Sequence, residues 1–251
     1  MNILVCVKRV PDTGARMDVT ADGKAIETRN LGFTISPHEE CAVEEAAAII
    51  EKLGGTGVVL SVGPKEAEEQ LRDSLAKGMD RGVLIETDGS DLDAGQTASA
   101  IVDYVRSQAM GFDMILFGNE SADSASYQVG IRVACALDRP CVTGVKRMNV
   151  QLDRVTAKRE VGAGFDVYEV PLPAVLTVKE GLNLPRHPSL KATMGARKKP
   201  LERVRPGGST PALEMIRLSV PPETGGGAEI LGEGRAAVPR IVELLRELRL
   251  V

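Results

Sequence analysis

For roughly its first 145 residues the chain alternates between two periods, and this alternation limits the available folds more than any other feature. "ILVCVKRV" (3–10) is a continuous apolar run of strand length, the pattern of a strand buried on both faces of a parallel sheet. From His38 to Leu53 the period becomes helical: Ala42, Ala46, Ile49, Ile50 and Leu53 form one stripe, stopped by Gly54-Gly55. "GVVLSVG" (57–63) reads as the next strand. "PKEAEEQLRDSLAKG" (64–78) reads as a helix opened by proline and closed by glycine. Strand "GVLIET", helix "GQTASAIVDYVRSQ", strand "FDMILFG" and helix "SYQVGIRVACAL" follow. The pattern predicts an α/β domain: a doubly wound, mainly parallel sheet with helices on both faces.

From Cys141 the texture changes. "CVTGVKRMNVQ", "RVTAKREVG", "FDVYEV" and "AVLTVKE" are short β-branched runs between turn residues, and they predict antiparallel strands. Beyond Leu182 the chain is rich in Pro, Gly and basic residues, with "PPETGGGAEILGEG" (221–234) reading as a linker. Order returns at the end, where Val238, Ile241, Val242, Leu245 and Leu248 form the apolar stripe of a helix begun at Pro239. The expected division is an α/β domain over 1–182, a loop over 183–200 and an arm over 201–251. The arm holds too little to form a core, so it needs another surface to embrace.

Composition removes several function classes. Aromatic residues are 3% of the 251 and Trp is absent, which argues against a base-stacking platform, and the net charge of −4 offers no basic field for nucleic acid. Cys6, Cys41, Cys135 and Cys141 lack any C-x-x-C spacing and read as small buried hydrophobes in a reducing, cytoplasmic interior. His38 and His187 are too few and too far apart for a histidine-based metal centre. The first apolar run ends at Val7 without a basic lead and reads as a strand rather than a signal peptide. No run approaches the roughly 20 residues needed to span a bilayer.

Signatures of side-chain catalysis are missing. The sequence has no G-x-S-x-G, H-E-x-x-H or P-loop, and "VKRVPDTG" stands where a dinucleotide fingerprint would follow the first strand. A ligand site reads more clearly. Open α/β sheets bind ligands beyond the carboxyl ends of their strands, and here those ends read "VCVKRV", "LSVGP" and "FGNESADSASYQVG". The last is small, polar and glycine-bounded, and it runs into a helix whose N-terminus could hold an anion. It could equally be an ordinary connection with Ser124 or Ser126 as N-cap. Asp88, Asp91 and Asp93 fit an acidic helix lead-in better than a metal site. In "NLPRHPSLKATMGARKKP" (183–200), Leu190 stands bare near the basic residues Arg197, Lys198 and Lys199. It belongs either to a plain polar loop or to a partner's pocket.

Taken together, "ILVCVKRVPDT", "SPHEECAVEEA", "LSVGPKEAEEQLRDSLAKGMDRGV", "GNESADSASYQVG", "KREVGAGFDVYEVPLPAVLTVKEGLNLPR" and "MGARKK" resemble the β (small) subunit of electron-transfer flavoproteins, from residue 3 to about 200. The resemblance implies an adenine-nucleotide α-hydrolase-like fold. It also implies an obligate heterodimer with an α subunit that carries most of the FAD, and structural AMP in the β subunit. The implied AMP pocket comprises Cys6, the turn Ser36, Pro37, His38 and Glu39, and Val62. It continues through Gly118, Asn119, Glu120, Ser121, Ala122, Asp123, Ser124, Ala125, Ser126, Tyr127, Gln128 and Val129. The 183–200 segment is implied to be a recognition loop for acyl-CoA-type dehydrogenases, with Leu190 as anchor, Met194 beside it and Arg197, Lys198 and Lys199 at its end. Electrons would pass from those dehydrogenases through FAD to a quinone oxidoreductase. The sequence departs from the family pattern at "VGAG" after "KRE", at Thr13 where some members place tyrosine, and at His38 where many have phenylalanine. "GNESADSA" differs from the loop of members that hold a second FAD and bifurcate electrons, which favours AMP. A reading from another class is an adenine-nucleotide hydrolase or sensor, which should carry its own phosphate loop and general base.

Overall fold

The computed structural model describes residues 1–89, 92–222 and 227–251. Asp91 and residues 223–226 of the expected linker lie outside the described residues. The chain starts with β1 (Asn2–Cys6), a short ribbon of β2 (Val10–Pro11) and β3 (Phe33–Thr34), then α1 (Pro37–Leu53) and β4 (Thr56–Gly63). It continues with α2 (Glu68–Ala76), β5 (Arg81–Glu86), α3 (Ala94–Ser107), β6 (Met114–Gly118) and α4 (Val129–Ala136). Strands β7 (Cys141–Val150), β8 (Arg154–Val161), β9 (Gly164–Pro171) and β10 (Ala174–Val178) follow. The last elements are α5 (Leu190–Ala196), β11 (Leu201–Val204) and α6 (Val238–Glu247).

Among the described residues, nine strands form one sheet in the order β11-β5-β4-β1-β6-β10-β7-β8-β9. Strand β1 lies between β4 and β6, parallel to both, so the chain winds outward through β4 and β5 and then returns past β1 to begin β6. That reversal opens a crevice at the carboxyl ends of β1, β4 and β6. The alternation of side chains along β1 serves both layers. Ile3 and Val5 pack with Ala42, Ala46 and Ile49 of α1 and with Leu71 and Leu75 of α2. Leu4 and Cys6 pack with Ile101 and Val105 of α3 and with Val133 and Ala134 of α4. Each fully buried aliphatic side chain contributes about 1.5–3 kcal/mol, and here neither face of the strand is wet.

The structure corrects four expectations. Strand β10 is not part of an antiparallel set: it runs parallel to β6 on one side and to β7 on the other. All five of its residues are buried, and an apolar run with no wet face belongs in the middle of a parallel sheet rather than on a half-exposed hairpin. Of the expected antiparallel set, β7, β8 and β9 do pair antiparallel. Residues 201–204, assigned to the arm, form β11 and extend the sheet along β5. Arg72 donates to the carbonyls of Ala196 (3.0 Å) and Lys199 (2.8 Å), which lays the following residues beside β5. The 183–200 segment is not all loop, because Ser189 caps α5 by accepting the Ala192 N–H at 3.2 Å. Finally, Cys6 and Cys41 are buried, but Cys135 and Cys141 are exposed.

The arm beyond β11 is clipped to the domain rather than packed into it. Asp93 caps α3 with Oδ1 on the Gln96 N–H (2.8 Å), while its Oδ2 accepts the N–H groups of Ala212 (2.7 Å) and Leu213 (3.1 Å). Farther on, the Leu218 N–H reaches the Gly23 carbonyl at 2.7 Å, and Lys24 Nζ donates to the Met215 carbonyl at 2.9 Å. The apolar side chains of Leu213, Ile216, Val220 and Ile230 remain exposed, as do Val238, Ile241, Val242 and Leu248 on the helical stripe.

Candidate functional site

The crevice is built around the first turn of α1. Ser36 Oγ accepts the Glu39 N–H at 3.2 Å, and Glu39 Oε2 accepts the Ser36 N–H at 2.7 Å, a reciprocal cap with Pro37 at the first helical position. The other carboxylate oxygen of Glu39 accepts the Lys8 N–H at 2.8 Å, tying the exit of β1 to the start of α1. Burial pushes the Glu39 carboxyl up to about 7, against the pull of these hydrogen bonds and of Lys8. Burial, reinforced by the charge of Glu39, also raises the Cys6 thiol far above its ordinary range. Cys6 is therefore an inert part of the wall. Val62 stands at the matching end of β4 and packs against the same layer as Cys6.

Gly118 ends β6 directly under this turn. A Cβ there would meet Glu39 Cγ at 2.7 Å and His38 Cβ at 3.2 Å, so the helix approaches the strand only because position 118 lacks a side chain. Asn119 is buried; its N–H donates to the Val178 carbonyl (2.8 Å) and its Oδ1 accepts from Thr177 Oγ1 (2.9 Å). The Glu120 carbonyl accepts from Ser36 Oγ at 3.2 Å, which joins the loop to the α1 turn. Asp123 is paired with Lys8 Nζ at 2.5 Å. Burial raises its carboxyl, but the Lys8 charge and the hydrogen bonds from Lys8, Ser121 and Ser124 outweigh that effect and hold it below the usual range.

The remainder of the loop is strained. Ala125 (φ 45°) and Tyr127 (φ 57°) occupy the left-handed region, which ordinary residues enter at a cost of order 1–3 kcal/mol. Neither Ser124 nor Ser126 caps α4. Its N-cap is Gln128, in helical conformation and without a side-chain cap, and the Gln128 side chain instead accepts from Arg132 Nη2 at 2.9 Å and Nε at 3.1 Å. The first turn of α4, beginning at Val129, thus starts without a side-chain cap. The left-handed residues Ala125 and Tyr127 lead directly into a helix N-terminus. A helix N-terminus without a side-chain cap is a place where an anionic group can be held. On the outer side of the loop, Ala122 joins Thr13, Pro37, Cys41, Gly181 and Leu184 in lining a cleft of 520 Å³.

The structure thus brings Cys6, Ser36 to Glu39, Val62 and 118–129 to one end of the sheet. Lys8 and Thr177, absent from the sequence reading, complete the site. A cation two residues beyond a buried strand was a readable signal for Lys8, whereas no local pattern marks Thr177.

The second group of residues lies apart, on α5. Leu190 and Met194 are one turn apart on the same face and are 78% and 62% exposed. Leu184, not singled out by sequence, is 90% exposed. The segment is held firmly at its root. Asn183 Nδ2 donates to the Cys41 carbonyl (3.1 Å) and Glu45 (2.9 Å), and Arg186 is bound to Glu44 and Glu51 at 2.5–3.1 Å. Of the expected cations, Lys199 is already engaged: its Nζ donates to the carbonyls of Leu75 (2.9 Å) and Met79 (2.7 Å) at the end of α2. No cluster of three or more metal-ligating side chains occurs among the described residues.

Comparison with known proteins shows the family. Residues 24–207 match the electron transfer flavoprotein domain model. The chain is 36% identical to electron transfer flavoprotein subunit beta of Bacillus subtilis, over 98% of both chains. It is 31% identical to the subunit beta of Homo sapiens, over 92% of both. The Syntrophomonas wolfei relative is 32% identical, over 98% of this chain and 96% of its own. The chain belongs to the electron transfer flavoprotein β-subunit family. Within a β subunit of this kind, the Ser36–Glu39 turn, Val62, the 118–129 loop and the exposed apolar turn of α5 fall inside the matched region, whereas Cys6, Lys8 and α6 lie outside it.

Proposed function

We propose that this chain is the β half of a heterodimeric electron carrier, a subunit without side-chain catalysis of its own. Its obligate α partner holds most of the FAD, and its own crevice holds AMP as a structural nucleotide. The observation that carries the AMP assignment is the 118–129 loop, with two left-handed non-glycine residues leading into an uncapped helix at the reversal point of the sheet. The loop and the α4 N-terminus would hold the AMP phosphate, and Cys6, Val62 and the Ser36–Glu39 turn would wall the adenosine. The FAD supplies the electron-accepting and electron-donating chemistry when bound.

This chain's own residues bind and orient. The α5 turn docks an acyl-CoA-type dehydrogenase through Leu190, with Met194 beside it. One aliphatic side chain in a partner pocket contributes about 1.5–3 kcal/mol, which suits a complex that must separate between transfers. Arg197 and Lys198 steer the encounter, with Lys199 behind them at the root of the patch. Electrons then leave toward a quinone oxidoreductase, in a cytoplasmic setting. Among the described residues no helix is long and apolar enough to cross a membrane. Nucleotide extracted from the purified αβ complex should amount to about one AMP and one FAD per heterodimer. Two FAD and no AMP would overturn the assignment in favour of an electron-bifurcating subunit.

A further inference from the structure

His38 joins three segments that are distant in sequence. Its Nδ1 accepts the Glu180 N–H at 2.8 Å, so in the neutral ring the proton sits on Nε2, which faces Glu120 Oε1 at 3.4 Å. The next peptide is held as well, since Lys146 Nζ donates to the Glu180 carbonyl at 2.6 Å. Glu120 in turn receives the Tyr127 hydroxyl, a hydrogen bond that raises the phenol's pKa, and its carbonyl is held by Ser36. One imidazole therefore ties the 118–129 loop to the turn at 179–182, which closes through the Leu182 N–H on the Lys179 carbonyl and has Gly181 at φ 86°. That turn is the root of the segment carrying α5, eight residues before Leu190.

We propose that His38 is a positioning residue that couples the 118–129 loop to the root of the 183–200 segment, and that protonation of its Nδ1 releases the coupling. An imidazolium has two donors and no acceptor, so it can keep Glu120 but cannot accept the Glu180 N–H. The positive ring would then face the Glu180 N–H donor to donor, and the turn swings away about Gly181. The charged and titratable groups around the ring are Glu120 and Tyr127 on the loop, Glu180 on the turn and Lys146 on β7. Glu39 lies in the same helical turn, and the Lys8–Asp123 pair lies across the loop. Where the proposal concerns nucleotide, it rests on the AMP reading above; the protonation step does not.

Hydrogen exchange over 118–129 and 179–184 in the assembled αβ complex tests both parts. Between about pH 8 and pH 5.5, after correction for intrinsic exchange, protection at 179–184 should fall about fivefold or more in the wild-type complex. In His38→Gln the amide keeps an acceptor for Glu180 and a donor for Glu120 without titrating, so protection should stay high and flat. A flat wild-type profile overturns the proposal. An equal fall in His38→Gln also overturns it, because it would move the effect to Glu39. His38→Ala should lose protection at 179–184 at both pH values. If that variant does not assemble, wild type and His38→Gln decide between them. Adding AMP to complex first stripped of its bound AMP should raise protection at both segments in wild type and His38→Gln, but only at 118–129 in His38→Ala. Protection confined to 118–129 in wild type would disprove the coupling and leave the AMP site standing. No protection at either segment would sink the AMP reading and leave the pH profile to decide the coupling.

Discussion

Strand β10 and helix α6 have similar apolar character and opposite fates. All five residues of β10 are buried between two parallel neighbours, whereas no residue of α6 is buried although Val238, Ile241 and Val242 line one side of it. The first completes a core made within the chain. The second leaves its apolar stripe uncovered. The clip at Asp93 and the bonds at Gly23 and Lys24 explain how a segment with so little burial still follows a defined path. Hydrogen bonds, more than packing, set its course.

The contrast can be broken most forcefully inside the sheet. Leu176, fully buried on β10, should cost about 2–5 kcal/mol of stability when changed to alanine, measured by denaturant unfolding of the chain. A loss below about 1 kcal/mol would mean that the sheet does not carry the fold alone.

The Glu39 carboxyl comes next. Its folded pKa of about 7 lies above the ordinary value of 4.5, so the native state binds more protons than the unfolded state between those values. Stability should therefore be higher on the acid side and fall as pH rises through that window, by on the order of 3 kcal/mol in total. Glu39→Gln should flatten that part of the stability–pH curve, and an unchanged slope would assign it to another group.

The smallest effect on the fold is expected at Leu190, 78% exposed. Leu190→Ala should leave unfolding and the flavin spectrum of the complex unchanged, yet slow its reduction by the cognate dehydrogenase about 10- to 100-fold. Unfolding of the complex would instead mark Leu190 as part of a packed interface with α.

The sheet was legible because its strands are continuous apolar runs and its helices are striped and capped; Ser36, Glu39 and Gly54 mark the limits of α1 in sequence as they do in space. Strand β10 was misread because a five-residue apolar run does not state which strands will flank it. Strand β11 was missed because "LERV" has weak strand character alone and gains its place from Arg72 and Lys199, which pin the preceding turn. In the site, the glycine-bounded loop was visible in sequence. The left-handed backbone at Ala125 and Tyr127 was not, since neither residue prefers that region and only the surrounding fold imposes it. The role of Thr177 and the bridge through His38 depend on partners 58 and 142 residues away, beyond the reach of any local pattern.

The central claim is that this chain is half of an assembly, with its C-terminal segment made for the other half. The most direct measurement is the affinity of the α subunit for the full chain and for a chain ending at residue 235, compared by titration after each has been shown to retain the same cooperative unfolding of the sheet. Burial of even two or three side chains of the α6 stripe should make the difference more than 100-fold, with the stability of the sheet unchanged. Equal affinity for the two chains would contradict the account.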